Sequence, residues 1–303
     1  MKPSSFVDDL QTCLGVEWKD YVLNKRRGGD SGRRGVRYED YYCLYQLAGM
    51  LCALADGADV GGMLIEQQAE AIVDDLVITS PSGSQYFQCK NTSRITWTGG
   101  RHPLKDDFSA QMRLLAYQGN KRWAKTILAV SEPKLAAKLR DNIPQEILSH
   151  TEVDDFPYCD GVLNRLVVES EELRQYLMEL ARVDAAADDQ LADVLGALMY
   201  GLLKRDGRGT VQDFLLDAQS LSPHLIRLMP NQLVDFSLIP GFEDRLARIR
   251  GLNYSLSRGF FRWEGFGMSG VLPYHCLDEQ FVQFQNRVLA LKPATFDAFE
   301  RLL

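Results

Sequence analysis

The chain is poor in the features that mark membrane, secreted or metal-cluster proteins. No run of about 18 apolar residues occurs, so no membrane-spanning helix is expected. The opening residues, MKPSSFVDDLQTCLG, carry acids and no apolar stretch, and do not read as a secretory signal. Six cysteines (Cys13, Cys43, Cys52, Cys89, Cys159, Cys276) are scattered without a CxxC pair. That spacing excludes a disulfide framework or zinc cluster and predicts reduced thiols in a cytoplasmic protein. Four scattered histidines argue against a histidine-rich metal site, and His275-Cys276 has no second ligand cluster. No G-x-x-x-x-G-K-[ST] segment is present, so no P-loop is expected. Gly265–Gly270 fits G-x-G-x-x-G, but Pro273 follows too early for the helix a dinucleotide site requires. Repeats and low-complexity tracts are absent.

What is present is an uneven distribution of charge. The net charge is -7, which by itself disfavours a nucleic-acid binder. Residues 1–140, however, hold 19 Lys and Arg against 16 acids, residues 141–200 hold 3 against 14, and the remainder holds 12 against 11. Two basic clusters stand out. One is Lys25, Arg26, Arg27, Arg33, Arg34 and Arg37; the other runs from Lys90 through Arg94, Arg101 and Lys105 to Lys125. Such clusters are what a phosphate backbone binds to, with Arg34, Arg37, Arg94 and Lys105 as candidate contacts.

Hydrophobic periodicity places the elements. A short helix over 6–23 leads into a cationic loop, RRGGDSGRRG. Tyr38, Tyr41, Tyr42, Tyr45, Leu47, Ala48, Leu51 and Leu54 recur at helical spacing and predict a helix over 36–55. Strands follow at 63–67, 71–79 and 85–90, with Pro81-Ser82-Gly83 as the turn between the last two. A helix at 104–118, a buried strand at 126–130 and a helix from 133 complete the pattern. The order is helix, three strands, helix, strand. This predicts an α/β protein, a mixed sheet flanked by helices. Beyond about residue 142 the pattern turns helical (169–182, 185–204, 211–220, 278–303), with 260–276 as a loop or short hairpin. The expected division is therefore a domain over 1–145 and a mainly α-helical region over 146–303.

The chemistry concentrates in IVDDLVITSPSGSQYFQCK, residues 72–90. An acidic pair, Asp74 and Asp75, opens one strand, and Gln88-Cys89-Lys90 ends the next. Side chains alternate along a strand, so Gln88 and Lys90 share a face and only one of the two aspartates joins them; the Asp75/Val77/Thr79 alternation favours Asp75. Mg²⁺ or Mn²⁺ takes oxygen ligands, commonly one or two carboxylates with several waters. Asp75 or Asp74, the Gln88 carboxamide and Glu39 of the preceding helix are the candidate ligands. Lys90 is placed to stabilise an attacking water or the charge developing on a phosphorane.

RGVRYEDYYCLYQLAGML, then IVDDLVI, then YFQCKNT resembles the PD-(D/E)xK restriction-endonuclease-like superfamily, in the branch carrying Q-x-K. It is similar to the double-stranded DNA endonuclease domain of bacterial anti-phage effectors linked to cyclic-oligonucleotide signalling. The resemblance covers roughly residues 30–140. It implies an αβββαβ core, a divalent metal and cleavage of duplex DNA, with Glu39, Asp74 or Asp75, Gln88 and Lys90 in the catalytic positions. It also implies control by a partner protein, by homo-oligomerisation or by the region over 146–303. A non-catalytic nucleic-acid-binding subunit and an RNA-cleaving enzyme on the same fold are the competing expectations.

Overall fold

Helix α1, Val16–Ala55, decides the layering. Tyr38, Tyr42, Cys43, Leu44, Leu47, Ala48 and Leu51 are all fully buried, so its C-terminal half is covered on every side rather than along one stripe. A helix apolar all round needs partners on both faces. The computed structural model describes residues 16–99, 103–158 and 163–303, with side chains described from residue 34 onward. The expected helix over 6–23 lies partly outside that range. The expected cationic loop is a correction: residues 26–35 continue α1 as helix. Extending a helix already packed beyond Tyr38 costs far less than nucleating one, and arginine's helix propensity works against the glycines.

One face of α1 packs on a six-stranded mixed sheet of order β5-β4-β3-β2-β1-β6. Its strands are β1 Leu64–Gln67, β2 Leu76–Thr79, β3 Gly83–Lys90, β4 Trp123–Val130, β5 Thr151–Asp155 and β6 Arg208–Thr210. The pairs β1/β2, β2/β3 and β1/β6 are antiparallel, whereas β3/β4 and β4/β5 are parallel. Helices α2, Leu104–Tyr117, and α3, Pro133–Asp141, make the two parallel crossovers. They cover the other face through a core of Trp97, Leu104, Phe108, Leu128, Val130, Ala136, Leu139 and Val153. Gly83 fits where β3 and β4 begin side by side: a Cβ there would lie 2.2 Å from the Trp123 carbonyl oxygen.

The far face of α1 is covered by the second half of the chain. Helices α4 Leu163–Glu169, α5 Glu171–Leu180, α6 Asp188–Lys204 and α7 Val211–Leu221 share one continuous core with α1 and the sheet, including Leu173, Leu177, Leu195, Leu198 and Phe214. The division expected at 145/146 therefore does not coincide with a break in packing. β5 and β6 belong to the same sheet as β1–β4, and α1 has an apolar surface that α5–α7 help to bury.

A second core lies further on. Helix α8, Phe242–Leu246, the sheet β7 Asn253–Ser257, β8 Phe260–Gly265 and β9 Met268–His275, and helices α9 Glu279–Leu291 and α10 Phe296–Glu300 surround Phe242, Phe261, Phe281, Phe284 and Phe299. Residues 146–303 are thus not mainly helical throughout: 260–276 forms the hairpin, and β7 adds a third strand. Phe266 (φ 50°) and Gly267 (φ 80°) make its two-residue tip, a turn whose twist suits a hairpin. The expected helix over 278–303 is interrupted at Lys292 (φ 48°), just before Pro293.

Arg258 fastens the two cores together. Its guanidinium donates to the carbonyls of Met178 (2.6 Å), Glu179 (3.1 Å) and Ala181 (2.8 Å) at the end of α5, and pairs with Asp184 (2.9 Å). Arg258→Met keeps the apolar stem but removes these donors. The expected loss is about 2–4 kcal/mol of stability, read from the urea midpoint; an unchanged midpoint would show that this contact does not join the cores.

Candidate active site

β2 and β3 pair with Leu76 opposite Phe87, which sets Asp75 directly across from Gln88. Leu76, Ile78, Phe87 and Cys89 face α1. By alternation Asp75, Gln88 and Lys90 share the opposite face. Gln88 Nε2 donates to Asp75 Oδ2 in a very short contact, and the Cys89 backbone N–H donates to the same oxygen at 2.7 Å. Lys90 Nζ stands 3.6 Å from it. Asp75 and Gln88 are each only 7 % exposed, whereas Lys90 remains partly open to solvent. Asp75, rather than Asp74, is therefore the aspartate that meets Gln88 and Lys90. Asp74 lies alongside, its carboxyl raised by burial and by the charge of Asp75.

The approach to Asp75 is held by contacts that periodicity does not reveal. The expected strand over 71–79 shortens to β2, because residues 68–75 form a loop instead. Gln68 N–H donates to the Asp75 carbonyl (3.3 Å) and Ala69 N–H to that of Asp74 (2.9 Å). Gln111 of α2, 2 % exposed, accepts from the N–H groups of Ile72 (2.8 Å) and Val73 (3.2 Å) through one oxygen. Gln111 lies on the helical stripe between Phe108 and Leu115. A carboxamide on an apolar stripe was the available signal for this role.

Glu39 reaches the same end of the sheet from α1. Gln68 Nε2 donates to Glu39 Oε2 at 2.9 Å, and Gln67 Nε2 donates to Asp40 Oδ1 at 3.1 Å. Burial, and then the charge of Asp75, pushes the Glu39 carboxyl up to about 7; Asp40 and Asp74 add to the rise, and Lys90 opposes it. Asp40 is also raised, mainly by burial. A carboxyl whose pKa is raised by neighbouring acids is crowded against like charge. Cys89 faces away into the core, its thiol held well above its ordinary range by burial and by Asp75 and Glu39, so it is no nucleophile at neutral pH.

No family model matches the chain, and no curated protein or solved structure matches it. What the arrangement can do follows from its own geometry.

Glu39, Asp75, Gln88 and Lys90 are brought together, with Asp74 at the margin. Among the described residues no three His, Cys, Asp or Glu side chains converge into a metal-binding group. Asp75 and Glu39 can supply two carboxylates and Gln88 a carboxamide oxygen, which fits the few direct protein ligands Mg²⁺ keeps.

The candidate nucleic-acid contacts separate. Arg34 and Arg37 are exposed on α1 shortly before Glu39, each with interactions of its own. Lys105 donates to Glu146 at 3.0 Å, so its charge is already answered. Arg94 is exposed in the segment after β3, and no acid pairs with it among the described residues. Cys43, Cys52, Cys89 and Cys276 are free thiols; Cys13 and Cys159 lie outside the described residues.

The ionised Glu39 destabilises the folded chain. Its pKa is raised from 4.5 to about 7, so the wild type loses stability as pH climbs between those values, whereas Glu39→Gln does not. In a chelating buffer the variant should match the wild type near pH 4.5 and exceed it by about 1–2 kcal/mol near pH 8, a figure reduced for partial exposure. Thermal unfolding at the two pH values checks this; equal stability at pH 8 would show that Glu39 is not under electrostatic stress.

Proposed function

We propose that the chain is a divalent-metal-dependent endonuclease acting on double-stranded DNA, built on a PD-(D/E)xK restriction-endonuclease-like core with Q-x-K in the catalytic strand. The observation that carries this reading is the joining of Asp75, Gln88 and Lys90 on one face of β2 and β3, with Glu39 at the same sheet end. The order α1-β1-β2-β3-α2-β4 agrees with an αβββαβ core.

Bound Mg²⁺ or Mn²⁺ would polarise the phosphodiester and activate water. Asp75 and Glu39 would hold it, with the Gln88 carboxamide as a neutral oxygen ligand. Cys89 N–H and Gln88 fix one Asp75 oxygen, so that its carboxylate presents the other in a set direction. Lys90 keeps its ammonium beside that carboxylate, where it can donate to the attacking water and to the negative phosphorane oxygens. The crowding that raises the Glu39 pKa in the free protein would be relieved by a cation, so folding energy is spent in advance on ion binding.

The biological setting we infer is a bacterial cytoplasm and defence against phage, supported by the sequence resemblance. Among the described residues no helix is long and apolar enough to cross a membrane. Control would fall to residues 146–303, to a second copy or to a partner protein. One observation favours a second reading, a non-catalytic nucleic-acid-binding subunit: no three metal-ligating side chains converge among the described residues.

Supercoiled plasmid incubated with Mg²⁺ should be nicked or linearised by the wild type. Chelator should stop the reaction, and Lys90→Ala should slow it by about 10²–10³-fold. Equal rates for Lys90→Ala and wild type would remove Lys90 from the chemistry. DNA binding without cleavage would favour the second reading, and faster cleavage of duplex RNA would reassign the substrate.

A further inference from the structure

Residues 91–99 leave β3 immediately after Lys90 and fold back against α3. Ser131 Oγ donates to Asn91 Oδ1 at 2.9 Å, tying the start of this segment to the end of β4. Trp97, almost fully buried, donates through Nε1 to the Leu139 carbonyl of α3 at 2.9 Å, and its own carbonyl accepts from Lys105 N–H. Gly99 closes on Thr96: a Cβ there would lie 2.6 Å from Thr96 Oγ1. The segment is thus fastened at both ends and meets α3 across a cavity of about 520 Å³. Ser93, Arg94, Ile95, Thr96 and Gly99 line one side, and Leu135 and Lys138 line the other.

The charge of this cavity is unusual for the domain. None of its lining residues is acidic. Lys105 and Arg140 nearby in the fold are each paired with an acid. Arg94 and Lys138 have no acidic partner among the described residues, and both are exposed. Two unanswered cations and two hydroxyls therefore line one fixed hollow. That donor set suits a phosphate: cations supply charge, and hydroxyls bond its oxygens.

We propose that this cavity binds a phosphodiester of the nucleic-acid strand, close along the strand to the one placed at Lys90. The inference rests on the nuclease reading for the identity of the strand, and on the cavity itself for the site. Only Asn91 and Thr92 lie between Lys90 and Ser93, a reach of about 10 Å at most. Arg94 and Lys138 bind and position the strand; they do not touch the reacting atoms.

The test measures binding without cleavage. The full-length wild type and Arg94→Gln/Lys138→Gln are titrated, in chelator, against fluorescent duplex DNA and duplex RNA of about 30 base pairs over a range of KCl. Lys121→Gln/Arg122→Gln is the control, because it removes two charges from the loop entering β4 at the other end of the sheet. For whichever duplex binds more tightly, the cavity variant should bind at least about tenfold more weakly and lower the log–log salt slope by about 1.8. The control should stay within about twofold of wild type. Equal effects of both double variants, an unchanged slope in the cavity variant, or no binding by the wild type would each overturn the proposal. A wild type that binds but never cleaves with Mg²⁺ would overturn the nuclease reading and leave the cavity assignment standing; cleavage with an unchanged slope would do the reverse.

Discussion

The need to bury α1 on all sides organises the molecule. Its inner turns carry tyrosines, leucines and alanines around the full circumference, and exposing either face would leave a large apolar surface in water at about 25 cal/mol per Å². The sheet covers one face and α5–α7 the other, so residues far apart in the chain become one folding unit. The same helix delivers Glu39. Its height above the sheet is set by Tyr38 and Tyr42 in the core, and Tyr42 is anchored by donating to Asp154 at 2.8 Å. The geometry of the candidate site and core packing are therefore not separable here.

The candidate site is a place where folding works against electrostatics. Asp75 is nearly sealed from water, and Glu39, Asp40 and Asp74 crowd the same sheet end with Lys90 opposing them. A structure optimised for stability alone would not gather these charges. Backbone and carboxamide donors hold one Asp75 oxygen in place, while Glu39 carries a raised pKa. Such an uneven division between neighbouring carboxyls marks sites poised to bind a cation or move a proton.

Basic residues tell a similar story by contrast. Counting cations along the sequence gave Arg94 and Lys105 equal standing. The fold spends Lys105 on Glu146 and leaves Arg94 beside Lys138 over a cavity without acids. Whether a charge can meet a ligand depends on whether a neighbour has already taken it, which is a property of packing.

Local periodicity settled much of this protein. The helical spacing after Tyr38, the strand–turn–strand over 76–90 and the succession of elements to Asp141 follow from patterns a few residues long. The sharing of a face by Gln88 and Lys90 also follows, because side-chain alternation is dictated by the backbone of a single strand. Tertiary structure decided the rest. It set Asp75, which alternation favoured, across from Gln88 through the register with Phe87, brought Glu39 to the sheet end, recruited β5 and β6 across the expected boundary, and turned a glycine–arginine segment into helix. Each of those outcomes depends on pairing or burial between distant residues, whose free energy exists only once the core has formed.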